Sequence, residues 1–192
     1  MNYSKKVIIL VAALATPNHF LYAIANDDEL PKGDFIEFIR GDEQNQLLTA
    51  ARNWDLPSVT KLIETEGLDI NKIGYRGSRS GSALYEAIRG GTRAGLVFDG
   101  PEQFAVIQFL LKHGATANPP AKQRFYTPLV LAASKNLLNV TKLLLQYGAD
   151  PSRFDAMYGK NAFAMAVDMG RNEELVDILH KALKEKSPTY RP

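Results

Sequence analysis

One pattern recurs four times along the chain and constrains its fold more than any other feature. The segments NQLLTAARN from Asn45, SALYEAIRG from Ser82, TPLVLAASK from Thr127 and NAFAMAVDM from Asn161 each open on a short hydrogen-bonding residue. Two places later stands a large apolar residue (Leu47, Leu84, Leu129, Phe163), and three further on an alanine (Ala50, Ala87, Ala132, Ala166). Asn, Ser and Thr side chains accept hydrogen bonds from the orphan N–H groups at a helix start. Pro128 suits a first helical position, where its missing N–H is no loss. Residues at i and i+3 share one helix face, and alanine there lets a neighbouring helix approach closely.

A second helical stretch follows in each unit: SVTKLIE, FAVIQFLLK, NVTKLLLQ and ELVDILHKAL. Three of these run into Gly67, Gly114 and Gly148, the usual left-handed helix stop, and then into LDIN, ATAN and ADPS. With these residues assembled, TPLVLAASKNLLNVTKLLLQYGADPS (Thr127 to Ser152) closely resembles an ankyrin repeat, and LLKHGATAN and ETEGLDIN repeat that family's helix-end pattern. The resemblance implies an all-α solenoid of about four antiparallel helix pairs, joined by outward hairpin loops and closed by helical caps. Only Thr127-Pro128 keeps the family's Thr-Pro, and no unit keeps the histidine that usually follows the leucine.

The spacing predicts units at about 43–73, 80–120, 125–154 and 159–183, with an N-terminal cap over 34–42 and a frayed tail at 187–192. Leu47 to Leu84 spans 37 residues, Leu84 to Leu129 spans 45, and Leu129 to Phe163 spans 34, against a period of about 33. Most of the excess falls in GGTRAGLVFDGPEQF, a glycine-rich loop between the two helices of the second unit. The first hairpin, KIGYRGSRSGS, is also lengthened. The last helix, EELVDILHKALKEK, turns basic at its end, which suits the helix dipole.

Ahead of the units, Lys5 and Lys6 precede nine unbroken apolar residues, Val7 to Ala15, and Ala23-Ile24-Ala25 forms an A-x-A site. This is the layout of a cleavable secretory signal over 1–25. Nine helical residues rise only about 14 Å against a bilayer core of about 30 Å, so no membrane insertion is expected after cleavage. The sequence therefore predicts a periplasmic location and a mature repeat domain over 26–186. The whole chain carries 23 Lys+Arg against 21 Asp+Glu. Two of those lysines and no acid lie in 1–25, so the mature charge is zero and a nucleic-acid partner loses its global support. Absence of cysteine excludes disulfides, thiol nucleophiles and Cys-based zinc sites.

No catalytic, cofactor or metal constellation emerges. His113 in LLKHGA fits a helix-end cap, His180 a surface position, and neither has a spaced second ligand. RGSRSGS lacks the Gly-Lys-Ser/Thr ending of a phosphate loop. Glu64/Glu66 and Glu173/Glu174 fit solvated helix faces, and Trp54 fits a packing plug. Charge distribution carries more. The hairpin segments hold Lys72, Arg76, Arg79, Lys122, Arg124, Arg153 and Lys160 against Asp155, whereas 26–43 holds seven acids against Lys32 and Arg40. A basic rim interleaved with aromatics suits an acidic protein surface, since Arg and Tyr serve as interface anchors. The residues expected to carry it are Tyr75, Arg76, Arg79, Arg124, Phe125, Tyr126, Arg153 and Tyr158. The expected role is a periplasmic immunity or inhibitor protein that neutralises a toxic secreted effector. An accessory protein stabilising a periplasmic enzyme, or an exported host-directed ankyrin protein, is the alternative.

Overall fold

The computed structural model describes residues 43–76, 79–91, 98–120, 127–156 and 158–187. The chain divides into Met1–Asp42 and Glu43–Pro192, and all described residues belong to the second unit. The signal segment 1–25, the cap expected over 34–42, residues 92–97 of the insertion, Arg124, Phe125 and Tyr126, and nearly all of the tail lie outside the described residues.

Four helix pairs follow one another. The first joins α1 (43–52) to α2 (Leu56–Thr60), which continues as a π-helical turn over Lys61–Thr65. A short hairpin, β1 (Gly74–Arg76) and β2 (Arg79–Gly81), leads to α3 (Ala83–Arg89) and α4 (Pro101–Lys112). The remaining pairs are α5 (Pro128–Ser134) with α6 (Leu138–Gln146), and α7 (Ala162–Asp168) with α8 (Glu173–Lys186). One row stacks α3 on α5 on α7, and the other stacks α2, α4, α6 and α8 in turn. This is the all-α repeat solenoid that the resemblance implies. Its α4 starts three residues earlier than the sequence reading, at Pro101, where proline's preset φ favours a first helical turn.

The repeated polar residue does the expected work in three units. Ser82 Oγ accepts Tyr85 N–H, Thr127 Oγ1 accepts Val130 N–H, and Asn161 Oδ1 accepts Ala164 N–H, at 3.3, 3.2 and 2.8 Å. Asn45 does not cap. The helix already runs through 43 and 44, so no orphan N–H faces its side chain, and its Oδ1 is buried without a hydrogen bond. Gln44 is the working residue there, donating across to the carbonyls of Asp69 and Lys72. The repeated leucines and alanines form the core, with Leu47, Leu84, Leu129, Ala50, Ala87, Ala132 and Ala166 all buried. Val167 occupies the position at which Ala51, Ile88 and Ala133 are covered by the next unit, and in this last unit it is 49% exposed.

Two sets of hydrogen bonds stitch unit to unit. At the hairpin edge, Asn71 Nδ2 donates to Gly114 O (2.9 Å) while its Oδ1 accepts Thr116 N–H (2.8 Å). Asn118 repeats this toward Gly148 O and Asp150 N–H, at 2.7 and 2.8 Å. At the opposite edge, the turn between paired helices places a residue at positive φ: Trp54 (57°), Asp99 (59°) and Asn136 (59°). Each reaches into the following unit. Trp54 Nε1 donates to Ala87 O (2.8 Å), Asp99 accepts from the N–H groups of Asn139 and Val140, and Asn136 Oδ1 accepts Asn172 N–H. Leu137, at the N-cap of α6, has no capping side chain, and Asp99 of the preceding unit supplies the acceptors for Asn139 and Val140 instead.

Asp99→Ala removes both acceptors and a favourable negative charge from the α6 N-terminus. It is expected to lower stability by about 1–2 kcal/mol in urea titration. Asn118→Ala is expected to cost a similar ~1–2 kcal/mol for its two inter-unit bonds. If either variant kept the parental midpoint, the stitches would be incidental to stability.

Candidate partner-binding surface

The hairpin residues singled out from the sequence fall into different environments. β1 and β2 pair antiparallel with Tyr75 opposite Ser80 and Arg76 opposite Arg79, so this hairpin brings two of the expected arginines to neighbouring backbone positions. Arg153 is half-buried and its Nη2 donates to Pro119 O at 2.7 Å, which ties its loop to the preceding hairpin. Tyr158 is exposed on a loop organised from beneath by Asp155. That carboxylate is buried and accepts the Tyr158 N–H at 2.6 Å and the Lys160 N–H at 3.4 Å. Asp155 is thus a structural acceptor, and Phe154 beside it is 61% exposed.

His113 closes the end of α4 as expected. Its ring stacks on Phe109 at 3.9 Å, with Nδ1 2.9 Å from Phe109 O and Nε2 3.1 Å from Glu64 Oε1. His180 departs from the surface position expected of it. It stacks on Phe163 at 4.9 Å and is half-buried, because α8 folds back over α7 and the larger Phe163 stands where leucine stands in other units. Trp54 is the packing plug the sequence suggests. It is buried and meets Phe98 edge-on at 5.3 Å. Gly90 lies beneath both rings at φ 69°, and a Cβ there would come within 2.8 Å of each.

A second group, missed by the sequence reading, gathers at the C-terminal ends of α1, α3 and α5. Glu86 is only 4% exposed, with Arg89 Nη1 3.3 Å from Oε1 and Arg52 Nη1 3.6 Å from Oε2. A buried carboxylate left without its cations would cost about 3–5 kcal/mol, so these arginines are held in place. Beside them Lys135 ends α5, half-buried, with Nζ 4.6 Å from the centre of the Phe98 ring. Phe98 itself is 43% exposed. Burial, then the charges of Arg89 and Arg52, pull the Lys135 pKa below its ordinary value of 10.5. Gln103, fully buried, fixes the floor of this region by donating to Ala87 O and Ile88 O and accepting Asp99 N–H.

A sequence signal for this cluster does exist. Arg52 and Arg89 both stand five residues after the repeated leucine, and Lys135 stands six after it. In the third unit the five-residue position is Ser134, and in the fourth it is Asp168, which pairs with Lys160. The row thus runs from basic to acidic along the stack. Such a gradient is visible only once the four units are aligned in register, and attention to the hairpins passes over it.

The chain matches the ankyrin repeat family, described as three copies, over residues 47–155 and 99–189. It belongs to that family, whose repeats form a module for protein–protein interaction. No curated protein matches the chain.

Protonated Lys135 opposes folding, because its folded pKa lies below the unfolded value. That penalty is complete below the folded pKa, shrinks as pH rises through it, and is gone above 10.5. Lys135→Met keeps the contact with Phe98 and removes the charge. It is expected to raise the thermal midpoint at neutral pH, with the gain narrowing as pH approaches 10.5. A loss at neutral pH that vanishes as pH rises past 10.5 would mean instead that the charge is held by net attraction.

Proposed function

We propose that this chain is an exported binding protein that works in the periplasm, where it neutralises a toxic effector acting in the bacterial envelope. The observation that carries the reading is the combination of an interaction scaffold with a basic, aromatic set of hairpin residues behind an export-type N-terminus. Export is supported by the basic, apolar and A-x-A segments over 1–25. Among the described residues no helix is long and apolar enough to cross a membrane. A protein partner with an acidic face follows from the excess of arginine and lysine on the hairpin segments, with exposed Phe154 and Tyr158 as aromatic anchors.

Two measurements test the reading. After expression with its full N-terminus, the protein is expected in the periplasmic fraction with an intact mass that starts at Asn26; retention of residues 1–25 in the membrane fraction contradicts export. The partner recovered from the protein's own cells is expected to bind about tenfold more weakly when Arg79 and Arg124 are both changed to glutamate. Unchanged affinity removes the basic rim from the interface. A recovered partner that is a toxic envelope enzyme, inhibited by the protein, supports neutralisation; a partner whose activity is preserved by it contradicts that role.

A further inference from the structure

Among the described residues, the fourth unit has no neighbour covering its outer side. Val167 stands where Ala51, Ile88 and Ala133 are fully buried under the following unit, yet it is 49% exposed, and Met169 two residues on is 46% exposed. The stitches between units change here as well. The turn that carries Trp54, Asp99 and Asn136 in earlier units carries Gly170 in this one, at φ 58° and with no side chain to reach onward. At the hairpin edge Ser152 stands in the place of Asn71 and Asn118, and its hydroxyl bonds back to Asp150 at 2.7 Å. A terminal repeat needs a polar outer face to stay soluble alone. This one keeps an apolar strip, without the side chains that tie one unit to the next.

The second helix of this unit adds a charge pattern with a definite order. Glu173, Asp177, Lys181 and Lys184 recur at i, i+4, i+8 and i+11, which puts them on one face of α8, and all four are exposed. The opposite face is the buried row of Leu175, Leu179 and Leu183. His180 lies on the charged side, three residues after Asp177 and four before Lys184, and its ring stacks on Phe163, one helical turn before Val167. Stripe and apolar strip therefore border one another. Along the helix the stripe runs acid, acid, base, base. Turned end for end about a twofold axis beside Leu179, it meets its own copy with Glu173 opposite Lys184 and Asp177 opposite Lys181, each pair formed twice. The helix dipole also favours acids first and bases last, but it gives no reason for exposed Val167 and Met169 alongside.

We propose that the outer face of α7 and α8 is a docking surface for a second copy of this chain, in a twofold dimer that lays α7 on α7 and α8 antiparallel on α8. Val167 and Met169 of each copy are then covered by the other, as the equivalent residues are covered within the stack. The self-complementary stripe selects the occupant: a protein of uniform charge would meet like charge along half of it. Such an isologous contact closes at two copies. Head-to-tail growth would instead need the onward stitches that Gly170 and Ser152 lack. The dimer uses none of the hairpin residues assigned to the partner, so its failure leaves the proposed function untouched.

The test is sedimentation equilibrium of the protein purified after export of its full chain, over a concentration series. A monomer–dimer equilibrium that weakens with added salt is expected. Val167→Asp is expected to raise the dissociation constant at least about tenfold. Asp177→Lys should do the same by setting like charges opposite one another. Adding Lys181→Asp to Asp177→Lys exchanges the charges within each pair and should return most of the affinity. Thermal melts establish that each variant is folded, and Val167→Ser serves if Val167→Asp is not. A monomer at every concentration overturns the dimer, including one that buries Val167 only under a different protein. Species that grow past the dimer, or a dimer that no variant weakens, overturn the twofold face. A double variant as weak as Asp177→Lys alone overturns the antiparallel pairing.

Discussion

Everything in this structure that stacks does so through the short turn between the two helices of a unit. That turn forces one residue to positive φ, a conformation that costs a non-glycine residue roughly 1–2 kcal/mol. Trp54, Asp99 and Asn136 all sit there. Each recovers the cost by sending its side chain into the following unit, to a carbonyl in the case of Trp54 and to helix N–H groups in the cases of Asp99 and Asn136. The strain and the stitch are one device: the left-handed backbone is what aims the side chain across the interface. The asparagines of the hairpin edge, Asn71 and Asn118, do the complementary job on the other side. With both edges tied, the helices of one row are held in register, and residues at equivalent positions line up.

That alignment turns scattered charges into a surface. Arg52, Arg89 and Lys135 are 37 and 46 residues apart in sequence, but they converge because the stack places one helix end beside the next. The insertion in the second unit contributes by delivering Phe98 and Asp99, one to the surface and one to the stitch. Its descent is pinned by buried Gln103. An irregularity in the repeat thus shapes this edge of the stack: the loop that breaks the period carries the ring over which Lys135 lies.

The helix pairs were legible in the sequence because capping residues, alanine rows and terminal glycines are local signals with fixed spacing. Ser82, Thr127 and Asn161 behave as their chemistry dictates. Asn45 does not, because whether a residue is a cap depends on what precedes it, and the residues before it are themselves helical. The π-helical turn at Lys61–Thr65 left no mark in the composition of α2. Much of the partner surface was opaque for a different reason. Hairpin charges such as Arg153 look free in sequence, yet Arg153 spends its guanidinium on Pro119 O. Glu86 looks like one more solvated helical acid, and it is the buried centre of the cation cluster. Exposure and pairing across units are tertiary facts, and only the register of the stack reveals them.

Hydrogen–deuterium exchange of the exported protein, alone and with the partner recovered from its own cells, tests the central claim most directly. The account predicts slowed exchange on binding in the hairpin segments, around residues 75, 79, 153 and 158. Protection confined to α4, α6 and α8, with those hairpin segments unchanged, would contradict it.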